Sequence, residues 1–213
     1  MKIKFKKYWR KTSLKKKEDA HFFLEHVKKF KPRNFLEVGI FHGVTSRNVC
    51  ELLYLLHGNK FKFTGIDLFL NNTDISKDEY PPKTKFSNPL KTIYYQYLIK
   101  LDPYSLQSVL KLLKKFRKNV NIIKGNSNQI LKEINLKHID YVFLDGGHKY
   151  ETIKQDLDNL THIIDRNGLI LCDDYNLSYA PGVKKAIDEY VLNKNFNLNI
   201  LNTRFAEITK KNK

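Results

Sequence analysis

The chain has 213 residues, of which 41% are hydrophobic and 13% are aromatic. That composition is typical of one globular domain with a buried core, and it excludes a disordered or fibrous protein. No apolar run is long enough to cross a membrane, and the basic N-terminus lacks the apolar segment of a secretory signal. We therefore expect a cytoplasmic protein whose two cysteines, Cys50 and Cys172, stay reduced.

The formal net charge is +17, and much of it is concentrated at the N-terminus. Residues 2–17 contain nine lysine and arginine residues and no acid, with Tyr8 and Trp9 among them. Such an arm is typical either of contact with a polyanion or a membrane surface, or of a solvated tail, and we favour the tail. We divide the chain into a basic arm over 1–17 and a single domain over 18–213.

Hydrophobic periodicity predicts strands that alternate with helices. In chain order we expect a helix over 18–30, a strand over 34–39, a helix over 45–57, a strand over 61–68, a helix over 106–116, strands over 120–124 and 139–144, a helix over 153–164, a strand over 169–172, a helix over 182–192, and strands over 197–201 and 204–209.

This alternation predicts an α/β fold with a mostly parallel, seven-stranded sheet and helices on both faces. Only Asn202 and Thr203 separate the last two strands, which predicts a C-terminal antiparallel hairpin. Residues 71–104 interrupt the alternation, and we expect an insertion there that serves as a lid or substrate loop, or else a surface excursion without a role. Ligands of such sheets bind at the carboxyl ends of the strands.

Glycines and short polar side chains follow the first three predicted strands. Gly39 and Gly43 allow a sharp turn and a close approach to a ligand, although a purely structural turn has the same pattern. Asp67 ends the second strand, where a carboxylate accepts the hydroxyls of a ribose or caps a turn. Asn126 and Ser127 follow the third strand and either bind an adenine edge or cap a helix.

Three carboxylates follow the fourth and fifth strands, which are expected to be neighbours. Asp145 ends the fourth strand, and Asp173 and Asp174 end the fifth. Carboxylates so close together repel one another unless a cation or buried donors balance them. Oxygen ligands of this kind suit Mg²⁺ or another divalent cation, and the alternative is a set of turn-forming acids with separate partners.

His148 follows Asp145 across two glycines. An imidazole at this place is able to take a proton from an acceptor hydroxyl near neutral pH. The alternative is a histidine that packs under the loop or bonds to an acid. The other six histidines lack such a setting.

Four segments resemble a known family. The runs FLEVGIFHGVTS and FTGID resemble the first two motifs of class I S-adenosylmethionine-dependent methyltransferases. The runs IDYVFLDGGHKYETIKQDL and GLILCDDYN resemble the small metal-dependent O-methyltransferases of the catechol and macrolide-sugar type, methyltransferase domain family 24. The resemblance covers residues 30–210 apart from most of 71–104, and it implies a Rossmann-like fold.

The resemblance also implies a set of roles. His148 matches the base position of the sugar-directed members, and Asp145, Asp173 and Asp174 would hold Mg²⁺ against the acceptor oxygen. The implied binding residues for S-adenosylmethionine are Glu37, Gly39, Gly43, Thr45, Asp67, Asn126, Ser127 and Asp145. Many relatives have Asp where this chain has Asn126, which weakens the adenine assignment.

The predicted function is therefore O-methylation of a hydroxyl on a sugar or another small acceptor. One alternative, which the charge favours, is a nucleic-acid methyltransferase, but the Asp-Gly-Gly-His run replaces the motif that amino-group enzymes carry after the fourth strand. Another is a Rossmann-like binding protein without catalysis. The sequence leaves the oligomeric state open.

Overall fold

A computed structural model of the chain describes residues 4–70, 88–136, 138–194 and 196–211. Its helices are α1 (Lys17–Phe30), α2 (Val44–His57), α3 (Pro89–Ile93), α4 (Leu106–Leu112), α5 (Ser127–Glu133), α6 (Tyr150–Ile163) and α7 (Pro181–Lys194). Its strands are β1 (Asn34–Val38), β2 (Lys62–Asp67), β3 (Val120–Lys124), β4 (Ile139–Leu144), β5 (Ile164–Cys172), β6 (Phe196–Leu201) and β7 (Phe205–Lys210). A π-helical turn over Tyr94–Ile99 continues α3, and a 3₁₀ turn over Lys114–Phe116 follows α4.

The seven strands form one sheet in the order β3-β2-β1-β4-β5-β7-β6. Strands β1 to β5 pair in parallel, whereas β7 pairs antiparallel with both β5 and β6. The predicted α/β fold and its C-terminal hairpin are therefore confirmed. The hairpin turns through Asn202 and Thr203, which both have positive φ, as a tight turn of this kind requires.

Helices cover both faces of the sheet. Along β4, Tyr141 and Phe143 pack with α1 and α2 on one face, while Val142 and Leu144 pack with α6 and α7 on the other. All four side chains are buried, which explains why this strand is a continuous apolar run instead of an alternating one.

The strand order reverses between β1 and β4, and this reversal positions the site. Val38 pairs with Leu144, and Leu144 pairs with Cys172, so the segments after β1, β4 and β5 leave the sheet at one edge. A parallel sheet of this topology has its ligand crevice at that edge, between the two central strands.

The N-terminal segment packs against the domain. Arg10, Thr12 and Leu14 are buried, so the favoured interpretation of a solvated tail is wrong for this part of the arm, whereas Lys4, Lys6, Lys7 and Lys15–Lys17 remain exposed. Within the described residues, no helix is long and apolar enough to span a bilayer. Of the predicted insertion, residues 71–87 lie outside the described residues.

Candidate active site

The loop after β1 passes directly against the loop after β4. Gly39 has φ +91°, and a Cβ built on it would lie 2.1 Å from the backbone oxygen of Asp145. The amide of Asp145 donates to the carbonyl of Val38 at 2.8 Å. A side chain at position 39 would therefore push the two loops apart. Gly43, at φ +72°, is the N-cap residue of α2.

Asp67 holds that glycine loop in place. Its Oδ2 accepts hydrogen bonds from the amides of Ile40 at 2.7 Å and Phe41 at 2.8 Å. Its Oδ1 accepts from the amide of Phe69 at 2.8 Å and from the hydroxyl of Tyr104 at 2.9 Å. Burial raises the pKa of Asp67, and these four hydrogen bonds oppose the rise by favouring the charged form.

A pocket of about 410 Å³ opens between these loops. It brings together the predicted residues Gly39, Asp67, Ser127, Asp145 and His148. The rest of its wall is formed by Val38, Phe41, Ile66, Leu68, Leu70, Tyr104, Gly125, Gly146, Gly147 and Lys149. The volume falls within the range of ordinary small-molecule sites, about 300–1,000 Å³.

Four other predicted cofactor residues are not part of that wall: Glu37, Gly43, Thr45 and Asn126. Glu37 is completely buried, and Ser46 donates to its Oε2 at 2.5 Å. Burial raises the pKa of Glu37 to about 8, although the Ser46 bond lowers it and the charge of Asp67 raises it further. Asn126 caps α5, because its Oδ1 accepts from the amide of Asn128 at 2.9 Å, so the capping interpretation describes this residue.

Ser127 lies on the pocket wall and donates its hydroxyl to Asp156 at 2.9 Å. Helix α5, which Ser127 begins, was expected only under the capping alternative, without bounds. Its seven residues are too short to show a clear helical period.

The three predicted carboxylates meet beside the pocket. Ligand atoms of Asp145, Asp173 and Asp174 all lie within 4.8 Å of one another. Burial raises the pKa of Asp145 well above its ordinary value, and the charges of Asp173 and Asp174 raise it further. Burial also raises the pKa of Asp173, against the lowering effect of its hydrogen bonds to Arg204.

Arg204 lies among these carboxylates, and sequence reasoning missed it. Its Nε and Nη2 donate to the two oxygens of Asp173 at 2.5 and 2.6 Å, and Nη2 lies 3.3 Å from Oδ1 of Asp174. On the other side, the hydroxyl of Ser13 donates to Oδ2 of Asp145 at 2.6 Å. The sequence did predict that these carboxylates repel one another. That repulsion indicated that a buried donor or a positive charge must lie beside them, although it did not identify Arg204.

His148 stands at the rim of the same cluster. Its Nε2 lies 2.9 Å from Oδ2 of Asp174, and its side chain is 52% exposed, while that of Asp174 is 7% exposed. The hydroxyl of Tyr179 also donates to Asp174, at 3.3 Å, and its ring packs edge-on against His148. A buried carboxylate therefore orients an accessible imidazole next to the pocket.

The fold is shared by several solved methyltransferases. The O-methyltransferase NovP superposes with a TM-score of 0.64 over 89% of this chain and 80% of its own, at 17% identity. The methyltransferase PaMTH1 of Podospora anserina, solved with SAH bound, has a TM-score of 0.60 over 93% of this chain and 80% of its own, at 17% identity. For CalS11, a TDP-rhamnose 3′-O-methyltransferase of calicheamicin biosynthesis, the TM-score is 0.60 over 90% of this chain and 79% of its own, at 14% identity.

The family follows from the sequence itself. None of the curated proteins has a significant match to the chain. The family model described as a methyltransferase domain matches residues 36–175, which span β1 through the end of β5 and include the whole carboxylate cluster. The chain therefore belongs to this methyltransferase-domain family and is a class I S-adenosylmethionine-dependent methyltransferase that resembles the small O-methyltransferases.

Proposed function

We propose that the chain transfers the methyl group of S-adenosylmethionine to a hydroxyl of a sugar or another small acceptor, with His148 as the general base. The observation that carries this proposal is the pair of His148 and Asp174 at the mouth of the pocket, 2.9 Å apart. A hydroxyl is a weak nucleophile near neutral pH, so a base at the acceptor oxygen supplies what the reaction needs.

The pocket fits the methyl donor by its position and its walls. It lies at the carboxyl ends of β1, β2 and β4, where this fold binds its cofactor. Within it, Asp67 is the carboxylate that we assign to the ribose, and the loop from Gly39 brings backbone to the pocket wall. Because the protein already donates four hydrogen bonds to Asp67, two to each oxygen, a ribose hydroxyl there would replace the hydrogen bond from Tyr104.

The reaction balances with these groups. The acceptor oxygen forms a bond to the methyl carbon while the carbon–sulfur bond breaks, and the electron pair of that bond stays on sulfur. The proton of the hydroxyl passes to the imidazole of His148. Asp174 then stabilises the imidazolium that forms, because its carboxylate is buried beside the ring. In this proposal the pocket walls also hold the two reactants in line, which is a separate contribution to the rate.

The magnesium prediction stays a prediction. The three carboxylates have the donor chemistry of a Mg²⁺ site, and an ion there would acidify the acceptor hydroxyl. As the side chains lie, however, both oxygens of Asp173 are bound to Arg204, so the set does not offer three available carboxylates. We therefore derive no step of the transfer from the metal.

The acceptor class is supported by the relatives. CalS11 is described as acting on TDP-rhamnose, which is a nucleotide sugar, and its fold matches 90% of this chain. At 14% identity the likeness carries the fold and not the acceptor, so a panel of free and nucleotide-linked sugars is the appropriate first screen.

The test is the substitution His148→Gln. We expect kcat to fall by about 10²–10⁴-fold, since that is the usual contribution of a general base. The affinity for S-adenosylmethionine, measured by calorimetry, should stay within about twofold of the wild type, because this change removes no proposed cofactor contact.

A matched control is His138→Gln. His138 also pairs with an aspartate, Asp165, at 3.1 Å, but it lies at the start of β4, away from the pocket. This variant should keep the wild-type rate. Equal rates for wild type and His148→Gln on an accepted substrate would remove His148 from the reaction, and failure of the wild type to bind S-adenosylmethionine would overturn the proposed function.

A further inference from the structure

Arg204 is built into the carboxylate cluster. Its side chain is 13% exposed, and the carboxylate of Asp173, to which it is bound, is 1% exposed. Oδ1 of Asp173 accepts from Nε of Arg204 and from the amide of Asp174, and Oδ2 accepts from Nη2 of Arg204. Both oxygens of Asp173 are therefore engaged by protein donors, with a guanidinium bound in the two-pronged geometry that Arg and carboxylates prefer.

The position of Arg204 is fixed by the sheet. It directly follows the Asn202–Thr203 turn, and β7, which begins at the next residue, pairs with β5 through Cys172 and Ala206. The backbone oxygen of Arg204 accepts from the amide of Tyr175 at 2.9 Å. Its guanidinium also lies 3.4 Å from Oδ2 of Asp19 in α1, so it is anchored from the hairpin, from the β5 loop and from the N-terminal helix.

A divalent ion needs the same carboxylate oxygens. Mg²⁺ binds carboxylate oxygens at about 2.0–2.1 Å and requires a near-octahedral arrangement of ligands. Oδ1 of Asp173 already accepts two hydrogen bonds and must release a donor to bind an ion, whereas an ion at Oδ2 would lie beside the guanidinium, where two cations repel each other in a buried site. Arg204 and a divalent ion therefore compete for Asp173.

We propose that Arg204 is the resident cation of the three-carboxylate site, where its guanidinium balances Asp173 and Asp174 and keeps a divalent ion out. Nη2 of Arg204 also lies 3.3 Å from Oδ1 of Asp174, whose other oxygen contacts His148. The inference concerns the site of the proposed methyl transfer, but it is tested by metal binding and does not depend on finding the acceptor.

The experiment is a titration of Mn²⁺, followed by calorimetry and by the electron paramagnetic resonance of free Mn²⁺, into wild type and Arg204→Gln. We expect the wild type to bind Mn²⁺ only in the millimolar range, and Arg204→Gln to bind one ion at least about tenfold more tightly, because three carboxylates lose their counter-charge. Arg166→Gln removes one positive charge from an exposed position on β5 and should match the wild type.

Two results would overturn the inference. One is a wild type that binds a single Mn²⁺ at micromolar concentration, and the other is an Arg204→Gln variant that folds and binds no better than the wild type. Should Arg204→Gln not fold, the melting temperature of the wild type decides: it should be the same in EDTA and in millimolar Mg²⁺, and a clear rise with Mg²⁺ contradicts the inference. Binding of S-adenosylmethionine, measured in parallel, reports on the proposed function separately.

Discussion

At the scale of single residues, Gly39 shows how closely two loops approach. Substitution Gly39→Ala places a Cβ 2.1 Å from the backbone oxygen of Asp145, which no side-chain movement relieves. We expect a loss of about 3 kcal/mol or more in the free energy of unfolding, measured in urea, together with weaker binding of S-adenosylmethionine.

Gly58 provides the control for this prediction. It also has positive φ, at +60°, but a Cβ there meets nothing within 4 Å. Gly58→Ala therefore costs backbone strain alone, about 1–3 kcal/mol, and should leave cofactor binding unchanged. If both variants lose equal stability, the close approach of the two loops is not what requires Gly39.

Glu37 is a buried acid whose ionisation opposes folding. Its pKa is about 8 in the folded chain because of burial, whereas an unfolded glutamate ionises near about 4.3. Between these values the unfolded chain releases the proton and the folded chain keeps it, so stability falls as the pH rises, by up to about 1.4 kcal/mol per pH unit from this group.

The substitution Glu37→Gln removes that dependence. Relative to wild type, the variant should gain several kcal/mol between about pH 5 and about pH 8, measured by urea unfolding at each pH. Glu18→Gln changes an exposed side chain of α1 and should follow the wild type. A difference between wild type and Glu37→Gln that stays constant over this pH range would show that Glu37 is ionised in the folded protein.

At the scale of elements, Arg10 ties the N-terminal arm to the rest of the molecule. Its guanidinium donates to the backbone oxygens of His42 at 3.1 Å, Pro103 at 3.4 Å and Ser108 at 3.0 Å, and to the hydroxyl of Ser108 at 2.9 Å. A single buried side chain thus joins the arm, the glycine loop and the start of α4.

The substitution Arg10→Met should release the arm. Three buried carbonyls lose their donor, so we expect a cost of about 2–4 kcal/mol in unfolding free energy and faster proteolysis near the N-terminus. Lys4→Met changes an exposed residue of the same arm and should have neither effect. An Arg10→Met variant with wild-type protease resistance would mean that other contacts hold the arm.

Elements with a compact apolar run between turn signals were predictable from sequence, and elements without one were not. The strands Val120–Lys124 and Ile139–Leu144 have the predicted bounds, because each is a compact run with strong turn signals on both sides. By contrast, Tyr95 is the one buried residue of Pro89–Ile93 and the π-helical turn after it, so this Tyr- and Lys-rich segment has no apolar face whose period the sequence could show.

At the scale of the whole molecule, the net charge of +17 is the reason to test the alternative of a nucleic-acid methyltransferase. Exposed lysines of the arm attract RNA through its phosphates, so we expect binding that does not depend on sequence and that falls steeply between about 50 and 200 mM salt. We expect no transfer of a labelled methyl group to RNA, because the acceptor proposed above is a small molecule that enters a pocket of about 410 Å³. Methylated RNA in such an assay would favour the alternative.

The sequence by itself determined the fold class, the order of most elements and the convergence of Asp145, Asp173, Asp174 and His148, because parallel strands bring the residues that follow them to one edge. Only the tertiary structure showed what balances the three carboxylates. Arg204 reaches them from a hairpin 30 residues further along the chain than Asp174, and Ser13 reaches them from the N-terminal arm. Contacts between residues so distant in sequence depend on how the sheet closes, and no local period or spacing encodes them.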